Sequence, residues 1–143
     1  MLVLTGHTQG LVETRRAIEF ATARLAAVRA TPQQVRDLHG QADRMDIACN
    51  REEFIELDLA FHFTLAHASQ YLVLAEVMVC IQQLLRGLMF TFFQTEEIRA
   101  LSNRQHHGLY DVVERQDADV AETVILAHLQ KHATVLSEMS YAR

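Results

Sequence analysis

An all-α bundle of about six helices is the fold class this sequence predicts. Half of the residues are apolar, yet Gly occurs five times, Pro once and Trp not at all; Ala, Leu, Val, Glu, Gln and Arg, which suit helices, dominate. Apolar residues recur at three- and four-residue intervals over six consecutive stretches. No repeat, low-complexity segment or linker follows residue 10. The 143 residues therefore make one domain (9–143, after a tail at 1–8), long enough to hide roughly two-thirds of its surface without a disulfide.

The first helix is predicted over 8–30, with Val12, Arg15, Ile18, Glu19, Thr22, Leu25 and Ala26 on one side. Thr31 and Pro32 end it, and Pro at a first helical position suits a second helix over 32–48. Asn50 breaks that pattern before a third helix over 51–69, whose stripe carries Phe54, Asp58, Phe61, His62 and Leu65. A fourth, over 72–93, is apolar all round and reads as a central core helix surrounded by others, with Phe90, Phe92 and Phe93 closing the core. The fifth and sixth are predicted over 95–116 and 118–141, with Asp117 as N-cap between them.

Eighteen acidic against thirteen basic side chains give a net charge of −5, which repels phosphate backbones in the absence of a basic patch, and none is visible. Cys49 and Cys80 lack a metal-type spacing and read as reduced, buried structural thiols. Glu76, Gln82, Gln83 and Arg86 interrupt the apolar run of 71–93, so no membrane span is expected. The N-terminus lacks the basic start of a secretory signal, and a cytoplasmic protein is expected.

Asp58 and His62 are four apart on an apolar helical stripe, so their side chains are neighbours facing a core. A buried carboxylate needs a partner, a hydrogen bond or a metal. Alone, the pair is satisfied by a simple Asp–His hydrogen bond. His106 and His128 change the balance, because each lies eleven residues from Asp117. If helices five and six form an antiparallel hairpin turning there, both histidines stand ~16 Å from the turn, at 1.5 Å per residue. Three histidines and an aspartate then meet inside the bundle. Such a set suits a divalent transition ion such as zinc, nickel, manganese or iron. An octahedral ion would keep two positions for water or a carboxylate. His7, His39, His67, His107 and His132 are excluded from this set; His107 shares a face with Asp111 and Glu114, and His132 is assigned to the rim or the surface.

These motifs resemble the FCD domain, the C-terminal effector-binding domain of FadR-type regulators within the GntR family of bacterial transcription factors. The similarity runs over nearly the whole chain. It is carried by VETRRAIEFATARLAA (Glu13, Arg15, Glu19, Ala26, Ala27), DLAFHFTLAHAS (Asp58, Phe61, His62, Ser69) and HHGLYDVVERQDADVAETVILAHL (His106, Asp117, Ala121, His128). The resemblance implies an antiparallel helical bundle with a central cavity and a metal held by the aspartate and three histidines. It also implies a carboxylate effector beside that metal, dimerisation, and transmission to a winged helix-turn-helix. Two departures stand out. Fewer than ten residues precede the first helix, so no winged helix is expected in this sequence, and Tyr71 stands where the family commonly has Asn, read as a variation at a helix start.

A carboxylate effector calls for cationic or hydrogen-bonding side chains. Arg15 offers a bidentate grip, although an intrahelical pair with Glu19 would use the same group. Arg86, Arg104 and Tyr110 are further candidates. The expected function is therefore a non-enzymatic sensor of a small organic acid, acting as a homodimer and reaching DNA through a winged-helix domain. The alternative is a helical metalloenzyme, a hydrolase or oxygenase, against which no inward Glu, Ser or Cys stands out as a base or nucleophile, with Glu56 and Glu76 the conceivable ones; a third reading is a purely structural metal.

Overall fold

The computed structural model describes residues 6–141, which form six helices: α1 (Gly6–Arg29), α2 (Pro32–Asp46), α3 (Arg51–Ala68), α4 (Leu72–Phe92), α5 (Glu96–Glu114) and α6 (Ala118–Tyr141). There is no strand among the described residues. Of the proposed tail, residues 6–8 begin α1 and residues 1–5 lie outside the described residues, as does the His7 side chain.

The breaks lie where cap chemistry falls. Thr31 accepts from the Gln34 amide while the Gln34 side chain accepts from the Thr31 amide, a capping box that starts α2 with Pro32 in its first turn. Asn50 caps α3 through the Glu53 amide, and Thr95 caps α5 through that of Ile98. Asp117 accepts from the Val120 amide at 3.2 Å and so starts α6. Gln70 and Gln116 take positive φ values of 58° and 60° and turn the chain after α3 and α5, a conformation common just past helix ends. Tyr71 sits at the N-cap of α4 without a side-chain cap bond; an asparagine there would supply one.

The central helix is α1, not α4. It packs against α3, α4, α5 and α6, while α2 lies against α3 and α5, and α4 lies against α3, α1 and α6. Buried Ala23, Ala26 and Ala27 keep the α1 surface small, so that neighbours approach closely. The sequence expectation for α4 is corrected: Leu72, Val73, Val77 and Leu84 face outward, and 39 % of its most apolar window is buried. Among the described residues it is the one helix long and apolar enough to cross a membrane. Cys49 and Cys80 are also corrected, both being exposed. The first lies in the turn before α3 and the second on the outer face of α4. Phe92 and Phe93 are buried as expected, with Phe90 packed partly buried beside them.

Candidate metal centre

Three helices deliver four side chains to one buried point. Asp58 and His62 come from adjacent turns of α3, His106 from α5 and His128 from α6, and all are within 1 % of complete burial. One ligand atom from each lies within 4.8 Å of every other. The antiparallel α5–α6 pair brings the His106 and His128 rings to 4.7 Å between centroids, equidistant in sequence from the Asp117 turn.

The three Nε2 atoms converge. His62 Nε2 is 3.2 Å from that of His106 and 3.3 Å from that of His128, and Asp58 Oδ1 is 3.1 Å from His106 Nε2 and 3.7 Å from His62 Nε2. Two imidazole nitrogens bound at ~2.1 Å to one ion stand about 3.0 Å apart at a right angle and about 3.4 Å apart at the tetrahedral angle. The two Nε2–Nε2 spacings, 3.2 and 3.3 Å, fit that range.

Proton placement makes the case chemically. Each imidazole has its other nitrogen engaged: His62 Nδ1 with Glu19 Oε1, His106 Nδ1 with Asn103 Oδ1 at 3.2 Å, and His128 Nδ1 with Gln105 Oε1 at 2.9 Å. Glu19 is a carboxylate, so His62 must donate. Asn103 uses its amide nitrogen on Ala42 O (2.9 Å) and Asp46 Oδ1 (2.6 Å), which turns its oxygen to His106 and makes that ring the donor. With Nδ1 protonated, each Nε2 presents a lone pair to the centre. Both oxygens of Asp58 are buried without a hydrogen-bond partner. Lone pairs facing lone pairs in a dry interior are repulsive unless a cation lies among them.

In the chain without an ion, these groups are shifted by burial and by one another. Burial would raise the Asp58 pKa, but His62 and His106 outweigh it and hold the carboxyl far below its ordinary range. Burial lowers the pKa of His106 against the pull of Asp58. Burial, joined by the neighbouring His132, keeps His128 well below 6.5 and therefore neutral. Burial opposes ionisation of Glu19, yet Arg15 and His62 prevail, and it too is depressed. Neutral His106 and His128 beside an ionised Asp58 are the forms of these groups that bind a metal.

Arg15 makes the intrahelical pair expected of it and also borders a cavity. Its Nε donates to Glu19 Oε2 at 2.6 Å, and the same buried side chain lines a cavity of about 220 Å³ between α1, α4 and α6. His132, on the next turn after His128, also lines this cavity and is buried rather than on the surface; its Nδ1 has no partner and its ring centroid is 4.4 Å from that of His128. Arg15 and His132 thus stand between the cavity and the four-residue cluster. The other candidate effector groups go elsewhere. Arg86 is exposed and pairs with Glu56, Arg104 is exposed on α5, and Tyr110 stacks on His39 at 4.5 Å. None of these three lines the cavity. His107 pairs with Asp46 at 2.9 Å rather than sharing its surroundings with Asp111 and Glu114 alone. Sequence reasoning missed Asn103 and Gln105 as supports; the signal was that Asn103 lies three residues before His106, on the same helical face.

Comparison with known proteins decides the family: the FCD domain model matches residues 10–131. The chain belongs to the FCD domain family. Its relatives include the galactonate operon transcriptional repressor of Escherichia coli K12, 30 % identical over 90 % of this chain and 57 % of the relative. The Nta operon transcriptional regulator of Aminobacter aminovorans is 30 % identical over 90 % of this chain and 61 % of its own length. The HTH-type transcriptional regulator LutR of Bacillus subtilis 168 is 30 % identical over 96 % and 65 %. The chain therefore spans about six-tenths of these relatives. As an FCD domain it groups with transcription regulators of the GntR type, and the metalloenzyme alternative finds no support. Glu56 and Glu76, the bases that alternative needed, are both exposed, and Glu56 is engaged by Arg86.

Proposed function

We propose that this FCD domain is the sensing part of a GntR-type regulator, in which Asp58, His62, His106 and His128 hold a divalent transition metal and a small organic acid binds beside it. The reading is carried by one observation: the Nε2 atoms of three imidazoles, each with its Nδ1 engaged elsewhere, and the carboxylate of Asp58 share one buried point. Zinc, nickel, manganese and iron all suit the donor set. The ion, when bound, supplies concentrated positive charge and, at coordination numbers above four, positions for an oxygen ligand.

The chain's own residues supply the rest. Glu19, Asn103 and Gln105 orient the imidazoles, and Arg15 and His132 face the cavity next to the metal cluster. An acid seated there touches α1, α4 and α6 together, so its binding energy biases the relative positions of three helices. Output to DNA runs through a separate winged-helix domain, and the cytoplasm is the compartment that fits. The galactonate operon repressor is named for a carboxylate, which supports an acid as effector. The outward apolar row of α4 supports a homodimer.

Metal content tests the site directly. Elemental analysis of the purified wild type is expected to give about one transition ion per chain, and His128→Ala to lose most of it. Equal metal in both proteins discards the assignment. Thermal denaturation of the metal-loaded domain with small carboxylates then tests the sensor, because a ligand selective for the folded state raises Tm.

A further inference from the structure

The cavity between α1, α4 and α6 is polar at two places only, its mouth and its inner end. Gln9, Glu13, Arg16 and Gln130 are exposed and form the rim. Inside, the buried polar groups are Arg15 and His132. Everything between is hydrocarbon: Leu85, Leu88, Met89 and Phe92 from α4, with Leu129 and Ala133 from α6. The volume of about 220 Å³ has room for about seven water-sized groups.

We propose that the ligand of this cavity is an apolar monocarboxylate, a short alkyl or single-ring aryl acid, with its carboxylate against Arg15 and His132 and its hydrocarbon along α4. The inference rests on the reading of the cavity as the effector site and adds the chemical class of the effector. Arg15 spends its Nε on Glu19, which leaves the terminal fork of the guanidinium for a carboxylate. His132 contributes a buried Nδ1 that lacks a partner, and a nitrogen in that condition gains most from a new acceptor. One carboxylate satisfies both.

The walls decide the remainder of the molecule. Each methylene buried against Leu85, Leu88 or Phe92 tightens binding by about fourfold. A hydroxyl in the same place finds no side-chain partner and weakens binding by about tenfold. A polyhydroxy acid carries several such groups, so this cavity discriminates against it cumulatively. Its specificity is therefore opposite in kind to that suited to a sugar acid.

The test uses the full chain loaded with nickel, titrated calorimetrically with butyrate, hexanoate, benzoate and gluconate. Hexanoate and benzoate are expected to bind at least tenfold more tightly than gluconate, and hexanoate more tightly than butyrate. Val12→Thr, an isosteric change at a partly exposed wall position, is expected to weaken hexanoate several-fold with Tm of the unliganded protein little changed. Ala133→Ser probes the α6 wall in the same way. Gluconate binding as tightly as hexanoate overturns the proposed ligand class while the acid-sensor reading survives. Hexanoate binding that neither wall substitution alters places the ligand elsewhere and also overturns it. No binding of any of the four acids removes the sensor reading itself, and the ligand class with it.

Discussion

Asn103 sets the tautomer of His106. Its amide nitrogen is fixed by Asp46 and the Ala42 carbonyl, so only its oxygen remains for His106 Nδ1, at 3.2 Å. The ring is thereby held with its Nε2 lone pair toward Asp58 and the other two histidines. A contact on the α2 surface reaches the centre through a single side chain.

Removal of that support is expected to weaken the metal without touching a ligand. Asn103→Leu deprives His106 of its acceptor, and losses of this kind typically cost 10- to 100-fold in metal affinity. Competition with a chelator of known affinity measures it. An unchanged affinity means that His106 is oriented by packing alone, against Phe61 at 4.6 Å.

Asp58→Asn separates the metal-free from the metal-bound state. In the metal-free protein the buried Asp58 carboxyl stands 3.1 Å from His106 Nε2, and His62 and His106 together hold it ionised against the cost of burial. The amide is expected to lower Tm of the metal-free domain, because it removes the ionised group that His62 and His106 favour, and to abolish most of the Tm increase on adding metal. A variant that metal stabilises as much as it stabilises the wild type contradicts this role for Asp58.

Acid is expected to destabilise the metal-free domain beginning near pH 6.5. Burial holds His128 and His132 well below their ordinary value of 6.5, so the folded chain refuses protons that the unfolded chain accepts. Stability from these neutral rings is complete above pH 6.5 and is lost as the pH falls below it. The depressed pKa values of Asp58 and Glu19 act in the same direction at lower pH, their contribution being complete above about 4.5 and lost beneath it. Chemical denaturation between pH 7.5 and 5 measures the slope; a flat profile in that window contradicts neutral burial.

The parts legible in the sequence share one property: their information is local or symmetric. Thr31, Asn50 and Asp117 mark helix starts through bonds to residues three positions on, so the six elements were readable to within a few residues. Asp58 and His62 are neighbours by helical spacing, and His106 and His128 by reflection through the Asp117 turn. Glu19 and Gln105 as imidazole supports were not readable, because each reaches a histidine on a different helix. Arg86, Arg104 and Tyr110 show the converse. A cation on a helix face has no address until packing gives it one, and packing sent Arg86 to Glu56 and Tyr110 to His39. For α4, an all-round apolar sequence does not say which of its sides the rest of the chain covers, and packing leaves Leu72, Val73, Val77 and Leu84 outward.

That uncovered side supports the last prediction. Val73, Val77, Cys80, Leu84 and Gly87 follow one another at four- and three-residue spacing along α4, and Val73, Val77 and Leu84 are 69 %, 40 % and 64 % exposed. An apolar row of this spacing is the seam of a helix pair. Cys80 lies at its midpoint, so an antiparallel two-fold pairing of α4 helices brings Cys80 of each copy to the axis. The domain is expected to sediment as a dimer and Leu84→Glu as a monomer, with little loss of Tm at low concentration because Leu84 contributes nothing to the core of one chain. Mild oxidation is expected to link dimers through Cys80, to spare Cys80→Ser, and to leave the exposed Cys49 uninvolved. A dimer that survives Leu84→Glu, with linkage through Cys49, assigns the interface to another face.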